Sequence, residues 1–197
     1  MRVFLLGAAL AAVSAASSLY SVTDIGPVSN VKGINSKGEV LATNASGQPF
    51  LYRHGSTHLL PQPPGASFVP QALNDLGEVA GYVNYAGQYN YFLAIYRHGN
   101  LRVLTDVPGV APVTLNNRGQ IAGDLVFSYR SFLYSDGRLT EILPQGTLAA
   151  VRGMNWRGQV VGVTLGPARL GYVASRHEFS TIMAPDGKDS EADGINR

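Results

Sequence analysis

The chain of 197 residues contains no cysteine. Disulfides and thiolate metal sites are therefore excluded, and the redox compartment is left open. Charge is scarce as well. Asp, Glu, Lys and Arg make up 14% of the residues, and the formal net charge of +2 rests on basic residues that stand one or two at a time. A nucleic-acid partner needs a concentrated basic face, so a pI near 8.9 does not indicate one. Beyond Val13 no apolar run is long enough for a membrane-spanning helix, and no stretch repeats its apolar residues with a helical period. The chain lacks a Gly-x-Ser-x-Gly nucleophile motif and a Gly-rich phosphate loop, and its acidic residues show no paired signature. It has four histidines, His54, His58, His98 and His177. His54 and His98 hold the same place in successive repeats, so they fall a repeat apart instead of converging on one ion. No metal and no cofactor is expected.

Turn formers are abundant, with 23 glycines and 11 prolines. They punctuate a ten-residue stretch that occurs four times. It begins at Gly33, Ala72, Thr114 and Gly153, and a fifth copy starts at Gly194-Ile195-Asn196. Its asparagines are Asn35, Asn74, Asn116, Asn155 and Asn196, spaced by 39, 42, 39 and 41 residues. Each of the first four is followed three residues later by glycine, at Gly38, Gly77, Gly119 and Gly158. Asn-x-x-Gly is turn chemistry. The Asn side chain can bond to backbone two residues on, and Gly accepts the positive φ that ends such a turn. The aliphatic residue before Asn ends one strand, and the β-branched residue two after Gly lies in the next. The fourth residue after Gly is always small (Ala42, Gly81, Gly123, Gly162), which predicts a close backbone approach.

Each unit continues in the same way. A third strand is marked by Phe50-Leu51-Tyr52, Ala94-Ile95-Tyr96, Phe132-Leu133-Tyr134 and Tyr172-Val173-Ala174. The hairpin dipeptides His54-Gly55, His98-Gly99 and Asp136-Gly137 fit turns that need positive φ. A fourth strand ends near Leu60, Leu104, Ile142 or Ile182. Four short strands in about 40 residues match a propeller blade. The expected fold is thus all-β, a β-propeller-like array of about four four-stranded blades, its ring possibly incomplete. The repeats fall near residues 29–62, 68–106, 110–144 and 149–185 of a domain spanning 17–197. An additional strand is expected at each end, over Tyr20–Ile25 and Ala192–Asn196. Residues 1–16 read as an export signal: Arg2 is a basic start, Val3–Val13 an apolar core, and Ser14-Ala15-Ala16-Ser17 offers a cleavage site after Ala16.

This repeat, with its Ile-Asn-x-x-Gly-x-Val core, Phe-Leu-Tyr hairpin strand and closing aliphatic strand, resembles that of the bacterial extracellular HAF-type repeat proteins over residues 20–197. The His-Ala-Phe that names that family is replaced here by Gln48-Pro49-Phe50 and Arg130-Ser131-Phe132. The resemblance implies an exported, propeller-like β-repeat and carries over no site residues.

Three features bear on chemistry. Unit two has a tyrosine-rich connection between its second and third strands, with Tyr85, Tyr89 and Tyr91, and the matching connection of unit three holds Tyr129. Tyrosines interleaved with Asn and Gln can stack on sugar rings or peptides, or simply pack one face on a sheet. Asp189-Ser190-Glu191-Ala192-Asp193-Gly194-Ile195 partly matches a calcium loop, but its third position is Glu191 where Asp or Asn is usual, and the closing Glu is missing. Asn44-Ala45-Ser46 matches a glycosylation sequon, which arises readily by chance. The expectation is a secreted or periplasmic, non-enzymatic binding or scaffold module with a glycan, peptide or cell-surface partner. The alternative is an exported polysaccharide hydrolase drawing its acids from several blades.

Overall fold

A computed structural model describes residues 22–88 and 90–196. The expected leader at residues 1–16 lies outside them, as does Tyr89. The described residues form sixteen strands in four antiparallel four-stranded sheets, each in chain order. Blade 1 holds β1 (Val28–Ile34), β2 (Val40–Asn44), β3 (Pro49–Arg53) and β4 (Ser56–Leu59). Blade 2 holds β5 (Ala66–Leu73), β6 (Val79–Tyr85), β7 (Tyr91–Arg97) and β8 (Asn100–Val103). Blade 3 holds β9 (Val110–Leu115), β10 (Ile121–Leu125), β11 (Arg130–Ser135) and β12 (Arg138–Glu141). Blade 4 holds β13 (Ala149–Met154), β14 (Val160–Thr164), β15 (Gly171–Ala174) and β16 (Phe179–Ile182).

The blades stack face to face, with their first strands side by side in the series β1, β5, β9, β13. Because strand side chains alternate between faces, each inner sheet feeds two seams. In blade 2, Val79, Val83, Ala94 and Tyr96 join Leu41, Leu51 and Leu60 of blade 1. Their neighbours Ala80, Leu93 and Ile95 join Val110, Ile121 and Phe132 of blade 3. A third cluster unites Leu133 and Ile142 with Val151, Val160 and Tyr172 across the seam of blades 3 and 4. The core is therefore three seams rather than one centre, as expected when no blade can bury both faces alone.

The hairpins take the geometry their dipeptides require. His54 and Gly55, His98 and Gly99, and Asp136 and Gly137 all have positive φ, as in type I′ turns. The small residue of each second strand lies opposite a β-bulge of the first. Register shifts occur at Val31/Gly33, Pro70/Ala72, Ala122/Gly123 and Val151/Gly153. A Cβ built on Gly81, Gly123 or Gly162 would stand 2.3, 2.1 or 2.0 Å from the carbonyl oxygen of Val69, Ala111 or Ala150. The backbone that comes close belongs to the same blade.

The two extra end strands are not formed among the described residues. Val22–Pro27 carries no strand pairing. Residues 191–196 are likewise unpaired as a strand. They lie on blade 4 through separate contacts: Ser190 N donates to the Arg169 carbonyl at 2.8 Å and Ala192 N to the Gly162 carbonyl at 3.4 Å. Among the described residues no sheet packs on the outer face of blade 1. Val31 is 54% exposed, whereas Val151 at the same position of blade 4 is 2% exposed.

Candidate functional site

The repeated asparagine does more than turn the chain. In every unit its carbonyl accepts the Gly N–H three residues on, at 3.0–3.1 Å. Its Oδ1 accepts two further backbone N–H groups: for Asn116 these are Arg118 N at 3.0 Å and Gln120 N at 3.1 Å. Its Nδ2 then donates twice. One bond goes to the side chain four residues on, Glu39, Glu78, Gln120 or Gln159. The other crosses to the next blade. Asn35 reaches the carbonyl of Asn74 at 3.0 Å, Asn74 that of Asn116 at 3.1 Å, Asn116 that of Asn155 at 3.0 Å, and Asn155 that of Asn196 at 3.4 Å. The turns thus form one directional relay, and the amide capacity of each interior asparagine is fully used.

The glycines of the relay have a second duty. A Cβ on Gly77 would meet the Glu39 carboxylate at 3.1 Å, on Gly119 the Arg97 guanidinium at 2.7 Å, and on Gly158 the Gln120 amide at 2.8 Å. The side chain after one turn glycine, or its cross-strand partner, covers the glycine of the next turn. Those partners match by charge. Buried Glu78 is ion-paired with Arg97, whereas Gln120 donates to Ser135 Oγ at 3.3 Å.

The four turns, with Ile195 and Asn196, converge on one open funnel of about 320 Å³ at this end of the blades. Its walls are the aliphatic residues before each Asn and the residues just after: Ser36, Asp75, Asn117 and Trp156. Asp75 accepts Ser36 N at 2.8 Å, and Asn117 Nδ2 donates to Asp75 Oδ2 at 2.9 Å. Asn117 Oδ1 accepts Asp75 N at 2.9 Å. A carboxylate and a carboxamide are therefore locked side by side. Trp156 is 47% exposed, with the Arg157 guanidinium 5.2 Å from its ring centroid.

Tyr85 ends β6, Tyr91 begins β7 and Tyr129 immediately precedes β11, at the opposite end of the antiparallel blades. Tyr85 packs edge-on against Phe92 at 5.9 Å and borders an open recess with Val103 and Asp106. Tyr91 packs edge-on against Tyr82 at 4.8 Å. Tyr129 stands on blade 3 with positive φ and is 61% exposed. Its backbone is used, since its carbonyl accepts Ala149 N at 2.9 Å. No ring contact among the described residues joins Tyr129 to Tyr85 or Tyr91. The acids of the calcium-like segment face protein partners. Asp189 accepts Arg169 N at 3.0 Å, and Glu191 pairs with the Arg169 side chain at 2.6 Å.

One further group is chemically distinctive. Asp124, in the seam of blades 3 and 4, accepts Val151 N at 3.0 Å and the Ser131 hydroxyl at 3.2 Å. Ser131 in turn accepts the buried Tyr172 hydroxyl at 3.1 Å. Burial pushes the Asp124 carboxyl up to about 6, against the opposing pull of those donors and of Arg152. The sign of its effect on stability follows. Between the ordinary carboxyl value and about 6 the folded chain holds a proton that the unfolded chain has released, so stability falls as pH rises through this window. The full difference is on the order of 2–3 kcal/mol. Asp124→Asn keeps an acceptor for Val151 N and Ser131 and removes the charge. Urea unfolding of the variant is expected to lack this decline between pH 4 and 7 and to show a higher midpoint at pH 7. An unchanged pH profile would refute the assignment.

No protein-family model matches this chain, and no curated protein matches it in sequence.

Proposed function

We propose that this chain is an exported, non-enzymatic binding module of the HAF-like repeat type, and that it binds at the funnel formed by its asparagine turns. One observation carries the reading. Within the repeated decapeptide the scaffold positions are constant, and their polar groups are consumed in the relay. The position just after Asn is instead Ser36, Asp75, Asn117 and Trp156, four different chemistries, and all four ring the funnel. A constant frame that presents varied side chains at one mouth is how scaffolds carry recognition. The resemblance of the repeats and the leader pattern of residues 1–16 support export. Asp124, the raised carboxyl that a hydrolase would want, faces the blade seam and is not among the funnel's walls, which favours binding over hydrolysis.

The test compares the mature chain with a variant carrying alanine at positions 36, 75, 117 and 156, on glycan, peptide and lipid arrays. Retention by the native chain and its loss in the folded variant is the expected result. Equal retention by both, or none by either, would overturn the reading, as would release of reducing sugar from a polysaccharide retained by the native chain.

A further inference from the structure

The binding reading leaves the ligand open, and the chemistry of the funnel narrows it. The N–H and C=O groups of the turn asparagines are already paired within the relay, so an extended peptide does not find them free for a ladder. The Arg157 guanidinium lies over the Trp156 ring, 5.2 Å from its centroid. What the mouth does present is a flat, half-exposed indole and, from two other blades, a carboxylate held beside a carboxamide at 2.9 Å. Around them stand aliphatic side chains, of which Ile34 is 70% exposed. A recess of about 320 Å³ lies at the small end of ligand pockets, about 300–1,000 Å³.

A pyranose ring matches each of these features. Its C–H face is apolar and stacks on an aromatic plane. Its hydroxyls both donate and accept, so neighbouring hydroxyls can bond to a carboxylate and an amide together. We propose that the funnel takes a terminal pyranose of a glycan, stacked on Trp156 and hydrogen-bonded through Asp75 and Asn117. The proposal rests on the binding reading above and is narrower than it.

Trp156 is the chain's one tryptophan, so its emission reports on the funnel directly. The experiment titrates the full-length mature chain with neutral hexoses, N-acetylhexosamines, hexuronates and dipeptides, following Trp156 fluorescence and, in parallel, binding heat. A sugar is expected to shift the emission saturably. By heat, Trp156→Ala is expected to weaken binding about tenfold, while Trp156→Phe retains most of the affinity. Because Trp156 is exposed, the variants keep the native unfolding midpoint, which separates a lost contact from a lost fold. Saturable binding of dipeptides without sugars would overturn the saccharide assignment and leave the binding reading standing. Silence from every ligand would overturn both. Sugar binding that Trp156→Ala leaves unchanged would remove the sugar from the funnel and overturn the proposal.

Discussion

Gly162→Ala is expected to destabilise the fold by about 3 kcal/mol, a large effect for one methyl group. The added Cβ would stand 2.0 Å from the Ala150 carbonyl and 2.8 Å from the Tyr172 ring. Neither neighbour can give way cheaply. The carbonyl belongs to the bulged strand β13, which is fixed on one side by β14 and on the other by the seam with blade 3. Tyr172 is fully buried, with its hydroxyl bonded to Ser131. Blade 1 supplies the control. Ala42 holds the same place, and there β1 has a second register shift at Val28/Asn30 and an uncovered outer face. Ala42→Gly is accordingly expected to cost less than about 1 kcal/mol, mostly in backbone entropy. Denaturant midpoints of the two variants decide the matter. If Gly162→Ala unfolds within 1 kcal/mol of the native chain, the bulge is free to move and the close-packing argument fails.

Asn116→Asp is expected to cost about 3 kcal/mol at neutral pH, although it changes one atom. Oδ1 would still accept Arg118 N and Gln120 N. The second oxygen would replace a donor that now reaches Gln120 Oε1 at 2.8 Å and the Asn155 carbonyl at 3.0 Å. Acceptor would face acceptor in a buried place, and a charge would be added there. Protonation restores one O–H donor, so acid should recover part of the loss, which a purely steric defect would not show. Position along the relay grades the effect. Asn74→Asp should cost at least as much as Asn116→Asp, since both donors are buried and Asn74 also faces the Glu78 carboxylate. Asn155→Asp should cost less, because its bond to Asn196 is 3.4 Å long. Uniform losses along the series would argue that the asparagines act only within their own turns.

The turns were legible in the sequence because their chemistry is local. Four residues fix an Asn-x-x-Gly turn, and two fix a His-Gly hairpin, so blade count, strand order and small-residue positions followed. The relay was not legible. An Asn amide that has satisfied its own turn keeps a donor whose partner is 39–42 residues away, and nothing local identifies that partner. The funnel was missed for a related reason. Attention to irregular segments led to Tyr85, Tyr91 and Tyr129 at the other end of the blades, while Trp156 sits inside the most regular segment. The signal was there in the residue just after each Asn, which is Ser36, Asp75, Asn117 or Trp156 while the Asn and Gly on either side of it stay fixed. The calcium-like spacing of Asp189, Glu191 and Asp193 has a simpler origin, because alternation in an extended segment also aims acids at one neighbour. Here that neighbour is the pair Arg152 and Arg169, supplied by residues far earlier in the chain.

The relay also sets a clock for synthesis. Each asparagine gives its amide to the turn that follows it in the chain, never to the one before. On the ribosome, a finished turn therefore waits with an idle donor until the next 40 or so residues have emerged, about 2–8 s at ordinary elongation rates. Every blade is provisional until its successor arrives to lock it. A pause in translation between two repeats would hold exactly one open turn at the growing edge, and the nascent chain would mature as a zip that closes from its first-made end.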